Sequence, residues 1–200
     1  MRKHTFGKKI YICLLCAVSL IFTACTKVVK TTYPNGETES EIEYRGGKMH
    51  GKAVWYYEHG KIRMQAQYEK GLLEGESIRY FRNGKADVRC TYRHDTLDGD
   101  YYQYDESGRL FEKMHYAMGV LDGPYFCYHD GEQKKIEGAY RNGLFEGDWT
   151  YYDADGFVVA RAHFSGGSGE LEAYDGQNRV IRRASYEHNM KKHDTILQIE

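Results

Sequence analysis

The sequence is short of proline, of net charge and of apolar runs long enough to cross a membrane. Two prolines among 200 residues leave the turns to glycine, which occurs 22 times beside 19 tyrosines. Tyrosine favours strands and glycine supplies turns, so a chain rich in both and poor in leucine consists of many short strands joined tightly. The formal net charge is only -1, and the first 24 residues contribute Arg2, Lys3, Lys8 and Lys9 with no acid. Without them 24 Lys and Arg face 29 Asp and Glu, a charge near -5. A mildly acidic chain argues against a phosphate-tracking nucleic-acid binder. The length suits one ordinary domain or one short repeat array.

The apolar run from Ile10 to Ala24 is about 15 residues, whereas a membrane-spanning helix needs about 20. With a basic segment before it, the run has the layout of a secretory signal, expected as a signal-peptide helix over 1–24; a spanning anchor is the alternative. Phe22-Thr23-Ala24-Cys25 resembles the lipobox of bacterial lipoproteins, in which small residues precede a cysteine that is diacylated and becomes the first residue after cleavage. Phenylalanine stands where leucine is usual. The resemblance implies that Cys25 carries lipid and holds the protein to a membrane of the cell envelope. Thr26, in place of an aspartate, favours the outer membrane in a Gram-negative cell. The competing reading is a cleavable signal with an incidental cysteine. Cys13 and Cys16 leave with the signal, and Cys90 and Cys127 are expected as free, packed thiols.

Three columns repeat with a step of 24. One is Tyr44, Tyr68, Tyr92, Tyr116 and Tyr140, continued by Phe164. The second is Tyr56, Tyr80, Tyr104, Tyr128 and Tyr152, and the third is Gly51, Gly75, Gly99, Gly123 and Gly147. After Phe164 the step breaks, and Gly169 and Tyr174 arrive two residues early. Internal repetition at this period defines the architecture. The absence of a leucine ladder excludes leucine-rich repeats. Each unit has two turn signals, an x-Gly pair such as His59-Gly60 or Asp175-Gly176 and a run such as Tyr68-Glu69-Lys70-Gly71, which gives one β-hairpin per period.

The pattern Tyr-x-x-Gly-x-x-x-Gly-x-x-x-x-Tyr-Tyr/Phe-x-x-Gly resembles the MORN-repeat family in its bacterial variant. His94-Asp95 replaces the first glycine in one unit. The resemblance implies an all-β fold, an elongated single-layer antiparallel sheet of tandem hairpins. The expected organisation is a signal over 1–24, a short tether over 25–32, repeats over 33–186 and a capping strand within 187–200, with Gln198 where the tyrosine column would continue. Some bacterial members of the family carry antitoxin labels.

With Glu58-His59-Gly60 as a three-residue turn, Tyr56 pairs with Ile62 and Val54 with Met64. One face then holds Val54, Tyr56, Ile62, Met64, Ala66 and Tyr68, so both tyrosine columns share it with the small residues Ala66, Cys90, Gly138 and Ala162. The opposite face receives Trp55, Arg79, Tyr101, Gln103, Tyr125, Trp149 and Tyr151 among Arg63, Gln65, Arg89, Lys113 and Arg161. Irregular aromatics amid charges suit a partly exposed binding surface, and the competing reading is a shield for a one-layer sheet.

No nucleophile, base or metal constellation stands out, so neither catalysis nor a cofactor is expected. Glu74, Asp98, Asp122 and Glu146 recur just before the repeat glycine, which marks them as turn chemistry, since a catalytic pair would be unique. The chain is expected to be a non-enzymatic, lipid-anchored envelope protein that binds or scaffolds a partner, a protein in the first instance. The alternatives are an immunity-type lipoprotein that neutralises a toxin and a carbohydrate-binding surface.

Overall fold

The computed structural model describes residues 25–130 and 133–197. The expected signal helix and the Gln198 position lie outside them. Among the described residues fifteen strands follow one another, beginning with β1 (Lys27–Thr32), β2 (Thr38–Arg45), β3 (Lys48–Tyr56), β4 (Ile62–Glu69) and β5 (Leu72–Tyr80). Then come β6 (Ala86–Arg93), β7 (Thr96–Tyr104), β8 (Leu110–Ala117), β9 (Val120–Tyr128) and β10 (Lys134–Arg141). The array ends with β11 (Leu144–Tyr152), β12 (Val158–Ser165), β13 (Ser168–Tyr174), β14 (Val180–Glu187) and β15 (Met190–Ile196). They form a single open antiparallel sheet in sequence order. Residues 27–32, expected as a tether, are strand β1 and pair with β2 from Lys27↔Tyr44 to Thr32↔Thr38.

Two kinds of connection alternate. The β2–β3, β4–β5 and later even-to-odd links are two-residue turns with both residues at positive φ, the arrangement that matches strand twist. His94 and Asp95 hold φ 48° and 65° there without glycine. Asp95 compensates by accepting from Leu73 N–H at 2.6 Å, while its own N–H donates to Leu73 O at 3.0 Å. The recurring acids belong to these turns. Glu74, Asp98, Asp122 and Glu146 accept from the N–H groups of His94, Met118, Asn142 and Gly166 in the next turn at 2.9–3.2 Å. Each turn is thereby hooked to its neighbour along one rim. At the opposite rim Glu58-His59-Gly60 is the three-residue turn that the sequence announces, with Gly60 N–H donating to Tyr57 O at 3.1 Å. In the last such loop Asn178, at φ 61°, takes the left-handed position rather than Gly176.

The register departs from the sequence expectation. Tyr56 pairs with Ile62, but the next rung is Trp55↔Met64, so Arg63 is an extra residue. The same bulge recurs at Arg79/Tyr80, Gln103/Tyr104, Tyr151/Tyr152 and Ala173/Tyr174. Because side chains alternate along a strand, a one-residue slip exchanges the faces. The two tyrosine columns therefore lie on opposite faces. Tyr44, Tyr68, Tyr92, Tyr116 and Tyr140 share a face with Trp55, Arg79, Tyr101, Tyr125, Trp149 and Tyr151. The other face carries Tyr56, Tyr80, Tyr104, Tyr128 and Tyr152 together with Gln65, Arg89, Lys113 and Arg161.

The glycine column has its own reason. Gly51, Gly75, Gly99 and Gly123 sit at φ 88–131° within bulges where three residues of the odd strand oppose one of the even one. Each faces the aromatic of the following strand, as in Gly75↔Tyr92 and Gly99↔Tyr116, which covers the backbone that glycine leaves bare. The break after Phe164 is the loss of this bulge. Strands β12 and β13 pair from Ala160↔Ala173 to Ser165↔Ser168 with no shift, and Gly169 faces Phe164 with no positive φ. The sheet curls toward the Tyr68 face at this end. Asn189 bonds Phe145 N–H at 2.8 Å and Gly143 O at 2.9 Å, and the Phe145 and Tyr186 rings lie 6.4 Å apart. Their strands β11 and β14 are three steps apart, about 14 Å in a flat sheet.

Candidate recognition face

Of the apolar residues that are buried, nearly all lie on the Tyr68 face: Ala53, Ala66, Val88, Cys90, Met114, Cys127, Trp149, Ala160, Ala162, Phe164 and Ala184. Among the described residues the exception is Val54. With no second layer, curvature and the size of neighbouring side chains must exclude water, and the central row shows how. Across the odd strands it runs Ala53, Ser77, Tyr101, Tyr125, Trp149, Leu171. In the C-terminal units large rings fill the row. Trp149 stacks on Tyr125 (5.5 Å, 28°), meets Tyr140 and Phe145 edge-on at 5.3 and 4.8 Å, and lies over Gly138. Phe164, Leu171 and Tyr186 complete this core. Burial of a ring such as Phe164 stabilises the array by about 1.5–3 kcal/mol.

Trp149 is thus a core residue, only 3 % exposed, and the expectation of a partly exposed tryptophan is corrected for it. The cause is the missing side chain at Gly138, which lets the indole settle across strand β10. Its Nε1 is buried with no hydrogen-bond acceptor among the described residues. Tyr151 is half-buried in the same region, and burial pushes its hydroxyl up to about 12. Burial likewise raises Tyr125, whose hydroxyl donates to Glu112 at 2.6 Å.

The N-terminal units are built differently. Ala53 and Ser77 occupy the positions of Tyr125 and Trp149, and beside their buried neighbours Ala66 and Cys90 the larger Trp55, Tyr68 and Tyr92 are only partly buried and Arg79 is exposed. Trp55 meets Tyr68 edge-on at 6.4 Å. Arg79 pairs with Asp87 at 2.5 Å, and the hydrogen bond to that carboxylate raises the guanidinium above its ordinary value. Tyr101 meets Tyr116 at 5.9 Å. Structure thus brings Trp55, Arg79 and Tyr101 together on one face, adds Tyr68, Tyr92 and Tyr116, and assigns Tyr125, Trp149 and Tyr151 to the closed half.

The opposite face is a polar lattice over the second tyrosine column. Lys30 and Tyr56 both bond Glu41 (2.6 and 3.5 Å), Gln65 bonds Tyr80, Arg89 bonds Glu76, and Tyr152 bonds Glu137. Asp100 receives His115 and Tyr102 at 2.8 Å each, and those bonds hold its carboxyl below the ordinary range. Among the described residues no three His, Cys, Asp or Glu side chains come together as metal ligands. Cys90 and Cys127 are buried free thiols, both raised by burial, and Cys25 is exposed two residues before β1.

Residues 31–147 match the model of a protein family described as "Uncharacterised protein", more than half of the chain. No curated protein matches it.

Proposed function

We infer, from a chain that belongs to this family, a non-enzymatic envelope protein of the MORN-repeat type, lipid-anchored through Cys25. It holds a partner against the Tyr68 face of its N-terminal units. The observation that carries this reading is the change along the central row, from Ala53 and Ser77 to Tyr101, Tyr125 and Trp149. The C-terminal units close on themselves and stabilise the array, whereas the N-terminal units leave Trp55, Arg79 and several tyrosines half-exposed around small residues. Aromatic and arginine side chains at such a place are the types that dominate binding energy in protein interfaces. A protein partner in the periplasm or at the cell surface suits that composition, and Thr26 in place of an aspartate favours the outer membrane in a Gram-negative cell.

A linear glycan is the second reading, favoured by the spacing of the tyrosine column. Its members stand two strands apart, about 9.5 Å, close to the length of a disaccharide in a β-1,4-linked chain. The hydroxyls of Tyr44, Tyr68, Tyr116 and Tyr140 accept or donate no hydrogen bond among the described residues.

The test is crosslinking in the native cell. Trp55→Ala and Arg79→Ala should lose the captured partner, at least tenfold for a hot-spot side chain, with the melting temperature preserved. Undiminished capture by both variants removes the recognition face. Retention on a linear β-1,4-glycan that is lost in Trp55→Ala, with no protein captured, selects the second reading. For the anchor, an alkyne fatty acid should label the wild type and not Cys25→Ser; equal labelling refutes it.

A further inference from the structure

We propose that the cleft between the β11–β12 and β13–β14 loops, on the same rim as the Glu58-His59-Gly60 turn, binds an alkylguanidinium group. The loops of this rim close alike. The first residue's N–H donates to the fifth residue's carbonyl, as Asp105 does to Arg109, Asp153 to Phe157 and Asp175 to Arg179, at 2.9–3.0 Å. In these three loops the first residue is an aspartate whose Oδ1 accepts the fifth residue's N–H, at 3.0, 2.8 and 2.8 Å. The Oδ2 atoms differ. Arg109 Nε donates to Asp105 Oδ2 at 2.8 Å, and Arg179 Nε to Asp175 Oδ2 at 2.8 Å. The middle loop has Phe157 where the other two have arginine. The hydrogen bonds to its Asp153 carboxylate, from the N–H groups of Asp155 and Phe157, both end on Oδ1, which leaves Oδ2 without a partner among the described residues. The same turn therefore holds a guanidinium of its own twice and once leaves the carboxylate open.

Beside that carboxylate lies a cleft of about 500 Å³, lined by Phe157, Val159, Tyr174 and Gly176 as well as Asp153, a size found for small-ligand sites. Phe157 is 70 % exposed, so its ring adds little to folding. Neither the Phe157 nor the Tyr174 ring meets another ring or a cation among the described residues. In the N-terminal loops such a place is filled from within, where Arg82 lies over the Tyr57 ring at 5.2 Å. Arg82 is the second residue of its loop, and the second residue of the β13–β14 loop is Gly176. Even a methyl group at Gly176 would touch nothing, so the cleft stays open there. A planar guanidinium donates to a carboxylate from its edge while its face rests on an aromatic ring. An ammonium has no such face, so the site selects arginine-like over lysine-like cations. The group belongs either to a free alkylguanidine or to an arginine side chain of a polypeptide.

The test is an amide NMR titration of the full mature chain with agmatine, a free alkylguanidine, and with N-acetyl-arginine methylamide, a side chain between peptide groups. Saturable shifts should centre on Phe157 and Gly176, and the tighter of the two probes names the source of the group. Asp153→Asn keeps the Oδ1 acceptor for both N–H groups and should weaken binding about tenfold, as loss of a charged hydrogen-bond partner does. Phe157→Ala should weaken it about threefold through the lost ring. Phe157→Arg supplies the guanidinium that the sister loops carry and should abolish the titration, with an undiminished melting temperature showing that the fold is intact. N-acetyl-lysine methylamide should bind several-fold more weakly than its arginine counterpart, and equal binding of the two overturns the guanidinium assignment. Shifts that do not saturate, or that persist unchanged in Asp153→Asn and Phe157→Arg, overturn the site.

Discussion

Replacing Gly138 by alanine asks whether the C-terminal core depends on one missing side chain. The new methyl carbon would stand 2.2, 2.4 and 2.7 Å from Cδ2, Cε2 and Cε3 of Trp149. Carbon atoms rest about 3.5–4.0 Å apart, so the indole would have to rise by about 1 Å or more. Trp149 cannot rise freely, because Tyr125 stacks on it and Tyr140 and Phe145 hold its edges. Gly138 has no positive φ, so backbone strain contributes nothing. With an unobstructed site the substitution would stabilise by about 0.4–1 kcal/mol through the unfolded chain. Overpacking costs about 1–3 kcal/mol, and a clash this deep belongs at the upper end. The melting temperature should fall by roughly 5–10 °C at about 2–4 °C per kcal/mol for an array of this size. Adding Trp149→Phe should restore part of the loss, with a coupling of about 1 kcal/mol or more between neighbours. Urea unfolding followed by circular dichroism measures all four corners of the cycle. A neutral or stabilised Gly138→Ala protein, or additive losses in the double variant, would refute this account of the core.

The two tyrosine columns should separate in stability. Tyr92→Ala uncovers Gly75 on the buried face and should cost about 2–3 kcal/mol, whereas Tyr104→Ala on the polar face should cost under about 1 kcal/mol; equal losses in urea would contradict the register. Acid should expose the Asp100 cluster. A carboxylate whose folded pKa is depressed contributes stability above its unfolded pKa of about 4 and loses it as pH falls through the folded value. Asp100→Asn should therefore show a shallower acid limb below about pH 4, by less than about 1 kcal/mol given its partial exposure; parallel curves for variant and wild type would remove the cluster from the acid response.

The hairpins, the columns and the break after Phe164 were legible because glycine and tyrosine recur at fixed steps and each has a backbone reason to do so. The bulge beside each three-residue turn was not. Its extra residues, Arg63 and its counterparts Asp87, Phe111 and Val159, keep the step of 24 but share no chemical type. A bulge is a backbone event, and nothing in those side chains marks it. A weaker signal was present in the small residues. Ala53 opposite Ala66 and Ser77 opposite Cys90 form a narrow floor only if the register slips by one, and the unslipped pairing sets Gln65 and Arg89 there instead. Polar partners at the centre of a buried face are costly unless paired.

The tryptophans carry the same lesson into the site. Trp55 and Trp149 look alike in the sequence, yet four periods back from Trp149 stands Ala53, and Trp55 shares its row with Arg79 and Tyr151 instead. Trp149 is therefore the largest member of a row that begins with Ala53 and Ser77, grows through Tyr101 and Tyr125 and ends at Leu171. Growth along that row grades the sheet from open to closed. A repeat array is held by contacts between neighbours, so the aromatic end can supply stability for units that bury only small residues. The half-exposed Trp55, Arg79 and Tyr101 are then tolerated because folding does not rest on them, which is the condition a surface needs to remain free for a partner.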